Sequence, residues 1–393
     1  MNLRVLTLST LFPDMTRPNF GVFVERQCRE LASRDGVDMV VVAPVGVAPW
    51  PLSRLSHHGP LLNLPVSERW RDLTVYRPRF TALPKIGSHF HVTAMTRAIW
   101  PLVRSLNAEK PFDIIDASFF WPDGPVAQRL SKRLGIPYSV KARGADIHYW
   151  GRLPATREAV LTAGRQAGGL LAVSEAMKRS MIALGMDGDR IRVHYTGVDL
   201  ESFAPQDRRE AKAFFGLSGP VVACVGALIP RKGQDLLIRA LTQLPDVTLI
   251  LAGQGTERSA YEQLAVELGV ESRVGFLGAI PHAQLPVLYN AADIMALPSE
   301  SEGLANAWVE ALACGTPIAI SDVGGARELL TSPAAGRIME RTPDAIAQTL
   351  REMLETEPNR IAVRKAAMRF SWRANGDALL AHLKEIAGES AQG

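Results

Sequence analysis

Cysteine is scarce in this sequence: 393 residues contain only Cys28, Cys224 and Cys314. The three lie far apart and no pair has the Cys-x-x-Cys spacing of metal and redox motifs, so the sequence predicts neither a disulfide framework nor a zinc site. A reducing compartment fits this usage best. The eight histidines also form no recognisable ligand set, so we expect no bound metal.

Long hydrophobic runs are missing as well. No stretch of about 18 uncharged apolar residues occurs, so no segment is predicted to cross a bilayer as a helix. The first residues, MNLRVLTLSTLFPD, carry Arg4 inside the apolar stretch and soon reach Pro13, which predicts a first strand and not a signal peptide. The net charge of +4 is too small to indicate a nucleic-acid groove, and 47% apolar with 21% charged residues is typical of a folded globular protein.

What the sequence does have is a regular alternation of short, β-branched apolar runs with longer segments of helical period. This alternation is typical of βαβ units, whose parallel sheets are buried on both faces. It occurs in both halves, so we predict an α/β fold with two facing doubly wound, Rossmann-like domains and a ligand cleft between them. The predicted strands are 3–8, 38–43, 112–117, 137–141, 169–173, 190–194, 220–226, 246–252, 273–277, 293–297 and 317–320. The predicted helices are 21–34, 122–134, 174–184, 232–243, 256–268, 282–291 and 303–313.

A polar stretch without periodicity, punctuated by Gly197 and Pro205, separates the two patterns and is typical of a hinge. We therefore assign residues 1–205 to an N-terminal domain and 206–370 to a C-terminal domain. Residues 371–393 are predicted to form a helix that returns to the N-terminal domain, followed by a polar tail that frays.

The most informative segment is EGLANAWVEALACGTPIAISDVGGARELL, residues 302–330. Glu302 and Glu310 are eight positions apart, about 12 Å along a helix, which does not match the separation of about 5 to 9.5 Å in a glycosidase pair. Gly303 suggests a loop entering a helix, with Glu302 beside a ligand and Glu310 two turns further in. A surface loop and an ordinary helical glutamate are the alternative. The N–H groups at the helix start, free for an anionic or hydroxylated ligand, belong to Leu304, Ala305 and Asn306.

Two further segments lie between a predicted strand and a predicted helix. VGALIPRKG, residues 225–233, carries Arg231 and Lys232 where the helix is expected to begin. Cations there oppose the helix dipole, so a phosphate ligand explains them better than helix stability does, with two solvated side chains as the alternative. LILAGQG, residues 249–255, ends a strand in glycines, Gly253 among them, which either admit a nucleotide close to the backbone or make a tight turn.

In combination, these motifs resemble the donor domain of the retaining family 4 glycosyltransferases, which have the GT-B architecture. The E-x7-E segment, the Lys232–Gly233 pair, LAGQG, VGFLG and LPSESEG occur in family order and spacing. TLFPDMTRPNFGVFVERQ, WPDG and RGADI resemble a subgroup that includes teichuronic-acid-type biosynthetic transferases. The resemblance covers nearly the whole chain and implies that 206–370 binds a nucleotide-sugar donor and that 1–205 is the acceptor side.

The resemblance implies a role for each matching residue. Lys232 would contact the donor pyrophosphate, Glu310 the ribose hydroxyls and Glu302 the sugar hydroxyls. Arg231 would supply a charge that many relatives carry at position 227, and Gly21 would let the N-terminal domain approach the phosphates. No metal and no cofactor besides the donor is implied. The remaining donor-binding positions are Gly253, Gly303, Leu304, Ala305 and Asn306.

Several positions depart from the family pattern. Ala227 replaces the common arginine, and Asp116 and Ser118 stand where relatives often show a histidine pair. Arg143 aligns with a position where many members place a histidine near the reacting sugar. We include Arg143 as a catalytic candidate that faces the acceptor or the phosphates, with Asp146 to orient it. No general base is named.

The implied activity is transfer of a sugar, with retention and without a metal, from a nucleotide sugar to a glycan or lipid-linked acceptor in polysaccharide biosynthesis of the cell envelope. Lys232 and helix-end N–H groups would stabilise the leaving diphosphate. With no placed nucleophile, front-face displacement is the expected route. A sugar-nucleotide epimerase and a non-catalytic nucleotide-sugar-binding protein stay open as alternatives, whereas a dinucleotide oxidoreductase is disfavoured because no G-x-G-x-x-G follows the first strand.

Residues 50–110 are unusually basic, with nine Lys and Arg against three acids. Their net charge of +6 exceeds that of the whole chain. Such a segment with interspersed aromatics suits anionic headgroups or a lipid-linked phosphate, and a solvated basic face with buried aromatics is the alternative. We expect a cytoplasmic enzyme with peripheral contact to the inner membrane face and no nucleic-acid partner. The aromatic residues are Trp50, Trp70, Phe80, Phe90 and Trp100.

Overall fold

The computed structural model describes residues 2–49, 59–82 and 88–390. It divides the chain into two compact units. The N-terminal unit runs to Gly197 and includes the chain from Trp372 onward, and the C-terminal unit is Val198–Ser371. The predicted boundary, residue 205, lies within the polar stretch, whereas the structure divides the chain near the start of that stretch.

The N-terminal unit is built on an eight-stranded sheet with the strand order β10-β9-β8-β7-β1-β2-β5-β4. Strands β4 and β5 pair antiparallel and the other neighbours pair parallel. A separate parallel pair joins β3 and β6. The strands are β1 Leu3–Leu8, β2 Val37–Val42, β3 Val45–Val47, β4 Ser67–Trp70, β5 Leu73–Tyr76, β6 Arg79–Thr81, β7 Ile114–Ala117, β8 Tyr138–Ala142, β9 Gly169–Ala172 and β10 Ile191–Val193.

Helices connect these strands and cover the sheet. Ser174 shows why one of them starts where it does, since its side chain accepts a hydrogen bond from the N–H of Met177. The helices of this unit are α1 Val22–Ala32, α2 Gly59–Leu62, α3 Ser88–Glu109, α4 Asp123–Leu134, α5 Pro154–Gln166, α6 Glu175–Leu184 and, from the end of the chain, α15 Trp372–Ser390. A π-helical turn, Asp146–Trp150, lies between β8 and α5.

The C-terminal unit has a six-stranded, wholly parallel sheet with the order β13-β12-β11-β14-β15-β16. Its strands are β11 Val221–Val225, β12 Thr248–Ala252, β13 Val274–Gly278, β14 Ile294–Leu297, β15 Ile318–Ile320 and β16 Gly336–Ile338. Its helices are α7 Arg208–Phe214, α8 Gln234–Ala240, α9 Arg258–Glu267, α10 Leu285–Ala291, α11 Asn306–Ala313, α12 Ala326–Leu329, α13 Pro343–Leu354 and α14 Arg360–Lys365.

Strand order determines where each sheet can bind a ligand. In the C-terminal sheet the chain runs outward from β11 through β12 to β13, and then returns to the other side of β11 with β14. The reversal lies between β11 and β14, and parallel sheets bind ligands beyond the carboxyl ends of the strands at such a point. The loops that follow β11 and β14 are therefore neighbours.

The predicted fold class, α/β with two Rossmann-like domains, is confirmed. Each predicted strand has a counterpart. The clearest are those buried on both faces, such as β1, where all six residues are buried. The strands and helices between residues 59 and 109 were not predicted. Their charged residues and short strand lengths obscure the alternation, and in β4 exposed positions alternate with partly exposed ones, with none buried.

Gly253 shows where the fold requires a glycine. Its φ is +152°, and a Cβ there would lie 1.9 Å from the carbonyl oxygen of Gly226. We expect Gly253→Ala to lower the free energy of unfolding by about 2 to 4 kcal/mol, because overlap adds to the strain of the backbone. Gly269 has a φ of +66° in open space, so Gly269→Ala should cost only about 1 kcal/mol. Equal unfolding midpoints of the two variants in urea would contradict this account.

Candidate functional site

Lys232 and Glu302 meet where the loops after β11 and β14 come together. Lys232 Nζ donates to Glu302 Oε1, and both side chains are nearly buried. Arg231 Nη1 lies 3.6 Å from the same carboxylate oxygen and donates to the carbonyl oxygen of Ser301. Lys232, which the resemblance assigns to the donor phosphate, therefore forms an ion pair with Glu302, which the resemblance assigns to the sugar.

This contact corrects one premise of the sequence argument. Arg231 and Lys232 do not begin the helix but lie in a 3-10 turn, Pro230–Lys232, and α8 starts after Gly233. The carboxylate of Glu302 accounts for their position without a helix dipole. Gly233 lets the two loops approach, since a Cβ there would lie 2.5 Å from the carbonyl oxygen of Pro298. The phosphate contacts of Arg231 and Lys232 stay a prediction.

Glu310, in α11, is held at both oxygens. His282 Nε2 lies 2.9 Å from Oε1, and the Tyr289 hydroxyl donates to Oε2 at 3.1 Å. Burial and the neighbouring carboxylate raise the pKa of Tyr289 well above its usual value of 10, so the hydroxyl keeps its proton and stays a donor. Phe203 packs edge-on against the His282 ring at 5.2 Å. Each carboxylate oxygen retains a second lone-pair direction, which a ligand hydroxyl can use.

His282 and Tyr289 are site residues that sequence reasoning missed. Both fall in the helix predicted at 282–291, which the structure forms as a turn at His282–Gln284 followed by α10. Nothing in their spacing relates them to Glu310, which lies in a different helix. Only the packing of α10 against α11 brings the three side chains together.

The start of α11 carries the predicted N–H donors. The N-cap residue Ala305 makes no side-chain cap, and the first-turn N–H groups of a helix have no acceptor within it. Leu304 is buried, while Ala305 and Asn306 are half-buried. The carbonyl oxygen of Gly303 accepts from the N–H of Gly325, which fixes the loop that presents them.

Gly21 and Gly253 have structural reasons to be glycine. Gly21 is the N-cap of α1 with φ +68°, and a Cβ there would lie 2.5 Å from the carbonyl oxygen of Leu11. Gly253 packs against Gly226 in the same way. Tight packing of one backbone segment on another explains both, and approach of the donor to either glycine stays a prediction.

Arg143 directly follows β8 in the N-terminal unit. Its Nε donates to the carbonyl oxygen of Ser118 at 2.8 Å, and Nη2 donates to Gln27 Oε1 at 3.2 Å. The guanidinium carbon lies 4.8 Å from the centre of the Phe23 ring, a cation–π contact. These three contacts use two of the five guanidinium donors, which leaves an edge available to an anion or a hydroxyl.

Asp146 orients the main chain at Arg143 and not its guanidinium. Its carboxylate accepts from the backbone N–H groups of Arg143 at 3.1 Å, Gly144 at 2.7 Å and Phe120 at 3.2 Å. Asp146 therefore orients Arg143 through the main chain, with no hydrogen bond to the guanidinium among the described residues. Asp146 is a loop-fixing residue, and its carboxylate adds only longer-range attraction.

Buried carboxyl groups surround Arg143. Burial raises the pKa of Asp116 to about 6 and that of Asp123 to about 7, while the positive charge of Arg143 opposes both shifts. Burial lowers the pKa of Arg143 to about 10, so it stays charged at neutral pH. Asp116, at a position where relatives often have histidine, is thus an electrostatic partner of Arg143. The Ser118 hydroxyl is buried without a hydrogen bond among the described residues.

Both halves of the chain match known families. Residues 206–370 match the family model described as glycosyl transferases group 1, and residues 20–202 match the one described as Glycosyltransferase Family 4. The chain belongs to the group 1 / family 4 glycosyltransferases, by two models that together span most of it. The predicted class of enzyme, a glycosyltransferase, is confirmed at this level, and the teichuronic-acid-type subgroup stays a prediction.

Sequence relatives agree with this class. D-inositol 3-phosphate glycosyltransferase of Mycobacterium tuberculosis (strain ATCC 25618 / H37Rv) is 36% identical over 311 residues, covering 71% of this chain. The protein of the same name from Mycobacterium bovis (strain ATCC BAA-935 / AF2122/97) gives the same values. The chain spans 62% of the length of these curated relatives.

Solved structures share the fold over nearly the whole chain. Sucrose-phosphate synthase from Thermosynechococcus elongatus superposes with a TM-score of 0.81 at 20% identity, covering 98% of this chain and 100% of that one. HepE of Anabaena, in complex with UDP and glucose, superposes with a TM-score of 0.74 at 22% identity, covering 97% and 99%. At these identities the likeness shows the fold.

The described residues lack both a membrane-spanning helix and a cluster of metal ligands. No helix among them combines the length and apolar character needed to cross a membrane. Within residues 2–49, 59–82 and 88–390, no three His, Cys, Asp or Glu side chains are grouped to hold a metal ion. Independence from metals and cofactors stays a prediction.

Proposed function

We propose that the protein transfers a sugar from a nucleotide-sugar donor to a glycan or lipid-linked acceptor, with retention and without a metal or other cofactor. The observation that carries this proposal is the Lys232–Glu302 ion pair at the carboxyl ends of β11 and β14, beside the start of α11. A cation, a carboxylate and helix-end N–H groups are what a sugar diphosphate requires. The glycosyltransferase models matched by both halves support the same reaction class.

In this proposal, binding of the donor breaks the Lys232–Glu302 ion pair. The ammonium group of Lys232, with Arg231 beside it, binds the pyrophosphate. The first N–H groups of α11 donate hydrogen bonds to the same phosphate oxygens. Glu302, released from Lys232, then accepts from hydroxyls of the transferred sugar. Glu310 uses its remaining lone pairs for the ribose hydroxyls, while His282 and Tyr289 keep its carboxylate oriented.

The chemical step is a front-face displacement. The bond between the anomeric carbon and the diphosphate oxygen breaks, and the acceptor oxygen forms its bond on the same face of the sugar. The acceptor proton passes to an oxygen of the leaving diphosphate. Lys232 and the N–H groups of α11 stabilise the charge that develops there, in the role that a metal ion has in other transferases.

A thermal-shift panel of UDP-, GDP- and ADP-sugars tests donor binding. A ligand that binds the native state at about 100 times its Kd adds about 2.7 kcal/mol to the free energy of unfolding. We expect one base to raise the melting temperature, and the HepE complex with UDP makes UDP-glucose the first donor to test. No shift with any donor, together with no heat of binding by calorimetry, would contradict the proposal.

The proposal includes a cytoplasmic location with contact to the inner membrane face. Helix α3 exposes Phe90, which is 67% accessible, and Arg97 and Arg104 follow at intervals of seven residues on the same side. Arg77 of the same basic segment, by contrast, is buried against Glu68 at 2.5 Å. We therefore assign the contact to this side of α3. Trp50, Arg54 and Lys85 lie outside the described residues.

Charge reversal on α3 tests the membrane contact. At about 1 kcal/mol per basic residue near an anionic surface, the double variant Arg97→Glu/Arg104→Glu should lose at least about 30-fold in vesicle affinity at low salt. Sedimentation with phosphatidylserine-containing vesicles measures this, and Arg209→Glu, an exposed site in the other unit, is the matched control. If the wild type binds neither anionic nor neutral vesicles, a soluble acceptor is the better hypothesis.

A further inference from the structure

Lys141 is a lysine almost without access to solvent. It lies in β8, two residues before Arg143, and only 1% of its surface is exposed. Its Nζ contacts Gln27 Oε1 at 3.2 Å and His194 Nδ1 at 2.8 Å. Burial and the charge of Arg143 lower the pKa of Lys141 well below its usual value of 10.5. Neither hydrogen-bond partner is a carboxylate, so the contacts serve geometry and not charge neutralisation.

The direction of these hydrogen bonds is determined by the last helix. His194 Nε2 lies 2.9 Å from the carbonyl oxygen of Asn375 in α15. A carbonyl oxygen only accepts, so Nε2 carries the proton and Nδ1 is an acceptor for Lys141. Burial keeps the pKa of His194 well below 6.5, so the ring stays neutral. Lys141 is thus anchored to α15 through His194.

Gln27, in α1, joins this buried chain to Arg143. Its Oε1 accepts from Lys141 Nζ and from Arg143 Nη2, both at 3.2 Å. A carbonyl oxygen has two lone pairs, and the two donors use both. Gln27 is itself 2% exposed. Lys141 therefore fixes the amide of Gln27, and that amide fixes one edge of the Arg143 guanidinium.

We propose that Gln27 is a positioning residue for Arg143, locked by Lys141 and His194. This rests on the proposed function, in which Arg143 faces the reacting groups. Among the described residues, Gln27 is the one side chain that accepts a hydrogen bond from Arg143. Without this oxygen we expect the guanidinium to turn toward the buried carboxyl group of Asp116, which attracts it. A displacement of about 1 Å in such a group costs on the order of 100-fold in rate.

A double-mutant cycle tests the proposal. Turnover is followed as nucleoside diphosphate released from UDP-glucose, GDP-mannose and ADP-glucose, which detects slow donor hydrolysis without an acceptor. We expect Gln27→Leu to lower kcat at least about tenfold in the wild type and to have no effect in an Arg143→Ala background, because a positioning residue acts only through its target. Gln27→Glu keeps the accepting oxygen and should restore most of the rate. Gln128→Leu, which removes an exposed amide pair with Gln166, is the control.

Three outcomes are distinguishable. No release by the wild type from any donor contradicts the proposed function, and the Nε–H signal of Arg143 in 15N NMR then tests the positioning alone. That signal should shift in Gln27→Leu, return in Gln27→Glu and stay unchanged in Gln128→Leu. Equal losses of rate from Gln27→Leu in both backgrounds, or an unshifted Arg143 signal, would overturn the role of Gln27 while leaving the proposed function intact.

Discussion

Lys232→Ala is expected to lower kcat by about 100- to 1,000-fold, because one donor aimed at developing charge is worth that much. The side chain is only 13% exposed and pairs with Glu302, so stability falls too. Turnover is measured with the donor selected in the thermal-shift panel, at a temperature well below the melting temperature of the variant. This separates the loss of kcat from the loss of stability.

Lys212→Ala is the matched control for this variant. Lys212 is 18% exposed and pairs with Asp293 at 2.8 Å in the same unit, so its removal breaks an ion pair of similar burial. Lys212 lies in α7 and not in a loop that follows β11 or β14. The Lys212→Ala variant should therefore lose stability without losing kcat. Full turnover in a folded Lys232→Ala protein would overturn the phosphate role of Lys232.

Glu310→Gln is expected to weaken nucleoside-diphosphate binding by about 1.5 to 3 kcal/mol, the range for hydrogen bonds to a charged group. The amide keeps one accepting oxygen, but its NH2 group only donates, so the hydrogen bond with either His282 or Tyr289 must reverse its direction or break. Glu310→Gln thus removes the negative charge at this position and also disturbs the orientation of the side chain. Calorimetry with the free diphosphate measures the change.

Tyr289→Phe separates these two losses. It removes one hydrogen bond to Glu310 while retaining the charge and the ring. We expect its effect on affinity to be smaller than that of Glu310→Gln, about 1 kcal/mol. Unchanged affinity in Glu310→Gln would remove Glu310 from the donor site.

Burial pattern explains why most of the fold was predictable. Strands such as β1, β7 and β8 are buried at every position, and each is visible in the sequence as a mostly apolar run of four to six residues, interrupted only by single polar residues such as Arg4 and Asp116. The segments around the predicted site were placed correctly for the same reason. Helix starts were less accurate: α11 begins at Asn306 and not at residue 303, because the loop continues past Gly303.

The contacts of the candidate site could not be predicted in this way. Lys232 and Glu302 are 70 positions apart, and only the pairing of β11 with β14 makes them neighbours. Likewise, a charge count over residues 50–110 treats Arg77 as it treats Arg97, although one is buried against Glu68 and the other is exposed. Periodicity reports which face is buried, but it does not report which polar groups meet.

Donor turnover followed by 1H NMR tests the central claim most directly. The protein is incubated with the nucleotide sugar that binds most tightly, and the anomeric proton of the first sugar released is observed before mutarotation. The account predicts slow release of nucleoside diphosphate and a released sugar with the anomeric configuration of the donor, both abolished in Lys232→Ala. An isomerised but intact nucleotide sugar would indicate an epimerase, and tight binding with no release would indicate a binding protein; either result would contradict the account.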